Sequence, residues 1–433
     1  MAQPVDPFAR AHTRRGFLGL AGSVALAGLA TAACGSDTGR GSSGTSSSSG
    51  ALQQWYHQYG EAGVEQAVQS YAAAYKTAQV QVGWKIGDYD SLIATALENS
   101  AEPDIFEDQV KIDWVRADQV VTLDDIIAPV KDDFTPSVLA GHTVAGHVYG
   151  IPQAVDTQVL FYRKSLLQQA GVQPPSTVAE LVSAAQALTR NGMKGLFVGN
   201  DGGVGVLAGP LLWSVGLDYL HEDASGNYTV GFDDPRAATA MNTLHQLNSN
   251  GSLLLGAPAD WSDPSAFTQG LTAMQWTGLW NIPSIKAKFG DDFGVLPFPK
   301  FDNSGAESVP VGAYGSMINA KSRHIDEAKA FIKWLWIDQT ADQLRFDTAF
   351  GFHIPSRKSL IPKATNLTTG PAADAVRYVQ QSGHLVGGPV WTDAMNTALS
   401  DSLTDIAKNG GDPSGPMHTA VSGVQAQLKQ LFG

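Results

Sequence analysis

One cysteine, Cys34, stands in a chain of 433 residues, so no disulfide can form within the chain. The fold must therefore rest on core packing alone. Charge is also scarce: charged residues are 16% of the chain, with 28 Lys+Arg against 41 Asp+Glu and a formal net charge of −13. An acidic chain without Lys/Arg clusters argues against nucleic acid or anionic lipid as a partner. No G-x-x-x-x-G-K-[ST] loop is present, so the chain is not itself an ATPase. H-E-x-x-H, C-x-x-C and G-x-S-x-G are missing as well, which removes the commonest zinc and serine-hydrolase readings and leaves no metal or cofactor to expect. "GGVGVLAG" (Gly202–Gly209) misses the dinucleotide-binding spacing and reads as a plain loop. A glycosidase needs two carboxylates facing across a bond, which spacing along a chain neither shows nor excludes. No repeat period of 20–50 residues is visible, against a solenoid or propeller.

Long apolar runs are short in supply. The one near the N-terminus, Phe17 to Ala33, is brief for a membrane span and interrupted by Gly and Ser. It follows the paired arginines of "TRRGFLG" and ends in "TAAC", a pattern that resembles a twin-arginine export signal (residues 1–33) with a lipoprotein cleavage box. Cys34 is then the expected lipidation site, and the body of the chain lies outside the cytoplasm, anchored to the membrane face. Gly19 and Thr31 depart from the usual forms of these motifs. A plain signal-anchor helix is the alternative. The stretch "GSDTGRGSSGTSSSSG" (Gly35–Gly50) cannot build a core and reads as a flexible tether of roughly 20–24 Å.

What is abundant is aromatic surface: Trp, Tyr and Phe make 9% of the chain, ten of them Trp. Ala51–Gly433 is too long for one core and suits two domains. Strand-like runs alternate with amphipathic helices, the rhythm of an α/β fold. "VQVGWKI" and "DIFED" read as strands, and "HVYGIPQAVDTQVLFYR" as two extended segments broken at Pro152. Thr177 and Glu180 form a capping-box pattern ahead of an apolar helical face. Asp234 before Pro235 starts another helix, "HIDEAKAFIKWLW" carries helical spacing, and the chain from Asp374 on reads as helix throughout. His142 and His147 are too far apart for one helix face and read as turn residues.

The stretch "AMQWTGLWNIPS" (Ala273–Ser284) sets two tryptophans around a Thr-Gly break. The glycine and the later proline predict a turn rather than one helix. Trp276 then ends a strand and points into the core, Trp280 sits in the turn, and Asn281 caps a helix Ile282–Phe289.

Five stretches in order, beginning "LIATALENSAEPDIFED", "YGIPQAVDTQVLFYRKSLL", "GLTAMQWTGLWNIPS", "VGAYGSMINAKS" and "AFGFHIPSRKSL", resemble the extracellular solute-binding proteins of carbohydrate-uptake ABC transporters, the group that includes maltose-binding protein. The resemblance implies an α/β fold of two lobes joined by a multi-segment hinge, with the ligand in the cleft between them. It places the crossings near Asp156–Leu160, Val309–Gly315 and Gly351–Pro355. Lobe one is then 51–156 plus 312–350, and lobe two 160–308 plus 356–433. It implies a monomer that captures a carbohydrate, a di- or oligosaccharide, without chemistry and delivers it to a two-subunit permease with a separate ATPase.

A sugar ring offers an apolar face of C–H groups and a rim of hydroxyls. Flat aromatics cover the face, at about 0.5–1.5 kcal/mol each, and carboxylates or amides bind the rim. By resemblance Trp280 and Trp391 are stacking platforms, Asp108 and Gln109 end a strand as hydroxyl binders, and Asp156 is a cleft carboxylate. Tyr56, His57 and Glu61 follow the first strand, and Tyr314, His353 and Trp213 complete the expected ligand-binding set. The rivals are a binder of glycerol phosphodiesters, which needs a cation such as Arg116, Arg163 or Arg357 in the cleft, an exported glycoside hydrolase, and a surface adhesin.

Overall fold

The computed structural model describes residues 50–200, 203–302 and 305–433. The export signal, Cys34 and nearly all of the tether lie outside these residues. Two sheets organise the described chain. The smaller has five strands in the order Val80–Lys85, Leu52–His57, Ile105–Asp108, Gly315–Ile318 and Ile151–Pro152. The first three are parallel and the last two run antiparallel to their neighbours. The larger sheet has eight strands, six of them in the order Leu253–Leu254, Lys194–Phe197, Thr272–Gly278, Ala154–Tyr162, Val309–Gly312 and Gly383–Leu385. Gly294–Leu296 and Ile354–Pro355 also pair with Ala154–Tyr162.

Side-chain alternation decides which way each strand faces. On Ala154–Tyr162, Val155, Val159 and Phe161 enter one core while Leu160 enters another on the opposite face. Helices Val178–Leu188, Pro235–Ser249, Asp393–Asn409 and Ser414–Phe432 cover the Leu160 side, and Ile282–Phe289 and Gly370–Ser382 cover the other. The smaller sheet has its own cores, around Tyr56, Phe331 and Trp336 on one side and Phe106 and Trp114 on the other.

Local signals act as expected at several ends. Thr177 and Glu180 form both halves of a capping box on Val178–Leu188, and the Asp234 side chain accepts from the Arg236 N–H at the start of Pro235–Ser249. Three predictions need correction. The C-terminal region is not continuous helix, because Gly383–Leu385 joins the larger sheet beside Val309–Gly312. Gly203–Leu207 is a 3-10 turn leading into a helix rather than a plain loop. His142 does lie in a turn, buried, with its Nε2 donating to the Ala313 carbonyl at 3.1 Å, whereas His147 is not a turn residue but opens the short strand His147–Val148.

The chain passes between the sheets three times. It leaves the smaller sheet at Pro152 and enters the larger at Ala154. The crossing expected at Asp156–Leu160 therefore lies earlier, at Gln153, because Asp156 to Leu160 are already paired within the larger sheet. Gln153 is held by its N–H to the Tyr314 carbonyl at 2.9 Å and its Nε2 to Ser316 Oγ at 2.7 Å. The return runs through Ala313 and Tyr314. The third passage follows the helical turns Phe346–Gly351, through Phe352 in a left-handed conformation (φ 52°) and His353, to Ile354.

Candidate functional site

A cleft of about 980 Å³ opens between the two sheets where these crossings converge. Its smaller-sheet wall begins where strand Leu52–His57 ends. Leu52, Gln54 and Tyr56 point into the core on alternate positions, so His57 is turned the other way. The adjacent strand supplies Glu107, which is 1% exposed. Glu107 Oε1 lies 2.6 Å from His57 Nδ1, and its Oε2 accepts the Tyr59 hydroxyl at 2.8 Å. Burial opposes a charged His57, but Glu107 outweighs it and raises the imidazole above its ordinary value. Tyr59 and Tyr314 flank the ring at 4.0 and 4.6 Å. Three rings edge a polar centre here.

The opposite wall is aromatic. Strand Thr272–Gly278 delivers Trp276 inward, fully buried, and the turn Leu279–Asn281 presents Trp280, half-buried at the cleft. The bare Gly278 seats the Trp280 ring, because a Cβ there would push the ring aside. Trp261 meets Trp280 edge to face, at 6.0 Å and 63°. The Trp261–Asp263 loop is pinned from three sides: Trp280 Nε1 and Asn281 Nδ2 both donate to the Ser262 carbonyl, at 3.1 and 2.8 Å. The buried Gln275 Nε2 donates to the carbonyls of Trp261 and Asp263. Asn281 thus anchors a loop; its side chain does not cap helix Ile282–Phe289 as expected, having taken Ser262 and Thr277 instead.

The floor holds His353 between two carboxylates. Its Nδ1 lies 2.5 Å from Asp156 Oδ1 and its Nε2 lies 3.4 Å from Glu61 Oε1. The N–H directions are bent away from these oxygens, so the contacts are ion pairs rather than aligned hydrogen bonds. Burial works against the charged ring, but Asp156 and Glu61 prevail and push its pKa up to about 10. Among the described residues the cleft lining carries no lysine or arginine.

Residues 60–336 match the bacterial extracellular solute-binding proteins. The chain belongs to this family. It is 23% identical over 312 residues to the galactooligosaccharide-binding protein of Bacillus subtilis, spanning 69% of this chain and 70% of that one. Two further relatives are spanned over only 54% and 57% of their length. Two solved structures share the two-lobed fold. The GacH receptor of Streptomyces glaucescens matches at TM-score 0.74 and 24% identity, covering 88% of this chain and 99% of that one. UgpB from Mycobacterium tuberculosis, in complex with glycerophosphocholine, matches at TM-score 0.74 and 20% identity, covering 89% and 100%.

Of the expected ligand-binding residues, this solute-binding protein brings His57, Glu61, Asp156, Trp280, Tyr314 and His353 to one cleft. His353 is only 4% exposed and lies between the two carboxylates. Tyr56 has no exposed surface and accepts from Gln54 within the core, so it cannot touch a ligand; strand alternation sends it inward. Trp213 is likewise buried, its Nε1 bonded to Asp218 and its face stacked on His384 at 4.8 Å. Asp108 is buried beside Lys111 and Asp90, where burial raises its carboxyl to about 7. Gln109 is exposed beside Gly312, and Trp391 packs on Tyr219 and Phe232; neither lines the cleft. The residues not anticipated are Tyr59, Glu107, Trp261, Asp263 and Phe352. A signal existed for Trp261, a tryptophan stranded among turn formers in "APADWSDP".

Proposed function

We propose that this protein is the membrane-tethered capturing component of an importer, which binds a carbohydrate by lobe closure and performs no chemistry. The observation that carries the reading is the pairing of the two walls: indole rings on one side, and carboxylate, hydroxyl and imidazole groups on the other. The rings suit the C–H face of a sugar, and the polar wall suits its hydroxyl rim. A cleft of about 980 Å³ has room for more than one ring, which favours a di- or oligosaccharide. The galactooligosaccharide-binding relative of Bacillus subtilis points the same way. Delivery to a two-subunit permease with a separate ATPase, and anchoring outside the cytoplasm through Cys34, complete the proposal.

A glycerol phosphodiester is the second reading, favoured by the UgpB likeness. Its choline end would suit the aromatic rings, but its phosphate would find no lysine or arginine in the lining. Arg163 is paired with Asp292 at 2.6 Å, Arg357 with Asp133 at 2.8 Å, and Arg116 reaches the Leu431 carbonyl. None of the three lines the cleft.

A thermal-shift screen against mono-, di- and oligosaccharides, with glycerophosphocholine included, tests both. Ligand at about 100 times its Kd should add roughly 2.7 kcal/mol of stability. A sugar hit lost in Trp280→Ala supports the carbohydrate reading. A shift with glycerophosphocholine alone overturns it, and sustained turnover of chromogenic glycosides overturns the absence of chemistry.

A further inference from the structure

His353 stands on the third crossing, and each side of the cleft sends it one carboxylate. Ile354 pairs with Val155 and Pro355 with Ala154, which sets His353 opposite Asp156 on the larger sheet. Glu61 comes from the other side, on the turn between strand Leu52–His57 and helix Val64–Ala74. The His353 imidazole touches both. Behind it lies Asp347, whose carbonyl accepts the His353 N–H at 2.8 Å and whose carboxyl burial raises well above the usual range. His57 also feels Asp156 and Glu61, but its Nδ1 is engaged by Glu107 at 2.6 Å, so His353 is the imidazole in direct contact with both acids.

We infer that His353 is the electrostatic bolt of lobe closure, a positioning residue that ties Glu61 of one lobe to Asp156 of the other. With the imidazolium in place, bringing the lobes together brings unlike charges together. Without it, closure would force two carboxylates toward each other in a poorly solvated floor, and like charges there favour separation. Because apparent affinity scales with the closed, binding-competent fraction, the bolt sets affinity without contacting the ligand. This rests on the reading above only in that closure captures a ligand; the bolt itself is a property of the empty protein.

Small-angle scattering of the ligand-free full chain tests it. His353→Gln should enlarge the radius of gyration and weaken the best sugar hit by about tenfold, the effect of 1.4 kcal/mol. Adding Glu61→Gln removes the repulsion, so the double variant should be more compact than His353→Gln alone and recover part of the affinity. A role confined to hinge packing predicts no such rescue. Glu61→Gln alone, in a turn outside the three crossings, should open the empty protein measurably, which keeps the test alive if His353→Gln does not fold. Unchanged scattering in Glu61→Gln, or a double variant as open as His353→Gln, overturns the bolt. If no variant binds any sugar while the scattering changes as stated, the ligand reading falls and the bolt stands.

Discussion

The two walls of the cleft reach the same end, a fixed binding surface, by opposite means. The smaller-sheet wall is organised around one buried acid: Glu107 holds His57 and Tyr59 by hydrogen bonds, and its effect depends on charge in a poorly solvated place. The larger-sheet wall is organised by shape. Trp280 is seated over the bare Gly278, and Trp261 is set edge-on by a loop stitched to neutral amides of Gln275 and Asn281. One wall should therefore respond to pH and the other should not. Orientation of the ligand follows from the first wall and most of its adhesion from the second.

Removing the platform is the harshest way to break the comparison. Trp280→Ala should weaken the best sugar by about 10- to 100-fold at every pH, as truncation of a central aromatic anchor does; calorimetry within twofold of the parent would mean the aromatic wall is not a platform. Glu107→Gln should cost about tenfold, because charge-assisted bonds to His57 and Tyr59 are lost together. It should also shrink a pH effect. In the parent, His57 is raised, so the stability it contributes is complete below its ordinary value near 6.5 and is lost as pH rises through the raised one. With Glu107 neutral, only Asp156 and Glu61 are left to oppose burial, so less stability is lost from His57 as pH rises. Melting curves across pH 5–9 on both proteins would show it. Gly278→Ala pushes the Trp280 ring from its seat without deleting it, so a loss of about fivefold is expected, smaller than for Trp280→Ala. An unshifted indole fluorescence would show that the seat does not matter.

The smallest effect on affinity is expected at His142, which sits between the crossings against Gly150 and Gly315. Burial depresses its pKa to about 4, so the folded protein keeps it neutral and loses stability as pH falls from about 6.5 toward 4. His142→Gln should flatten that part of the stability profile while leaving sugar affinity near neutral pH unchanged. A melting temperature that still falls as steeply between pH 6.5 and 4 would place the acid sensitivity elsewhere.

The two tryptophans of "AMQWTGLW" show how far local rules reach. A strand ending at a glycine and a turn before a proline were enough to send Trp276 inward and leave Trp280 at the surface, and the helix Ile282–Phe289 begins and ends as its residues indicate. The same rules misplaced Tyr56, although period-two alternation from Leu52 already points it inward once the buried face of that strand is known. Which face is buried is not local information. Trp213 failed for a similar reason: an apolar helix Ala208–Ser214 is buried on all sides, so its tryptophan has no exposed edge to offer. The first crossing was set a few residues late because Asp156–Leu160 and Ile151–Pro152 are equally extended, and only pairing partners tell which sheet owns each.

By itself, then, the sequence determined the alternation of strands and helices, the caps and turns that bound them, the lack of the common ATPase, zinc and serine-hydrolase motifs and the reliance on packing over disulfides. These depend on residues a few positions apart, where sterics and hydrogen bonding act along the chain. Tertiary structure decided that Glu107 would organise His57 and Tyr59, that Trp261 would meet Trp280, and that Glu61 and Asp156 would share His353. Those neighbours are distant in sequence, and their pKa values follow from burial and from the charges that folding places beside them. No stretch of chain contains either quantity before the lobes are assembled.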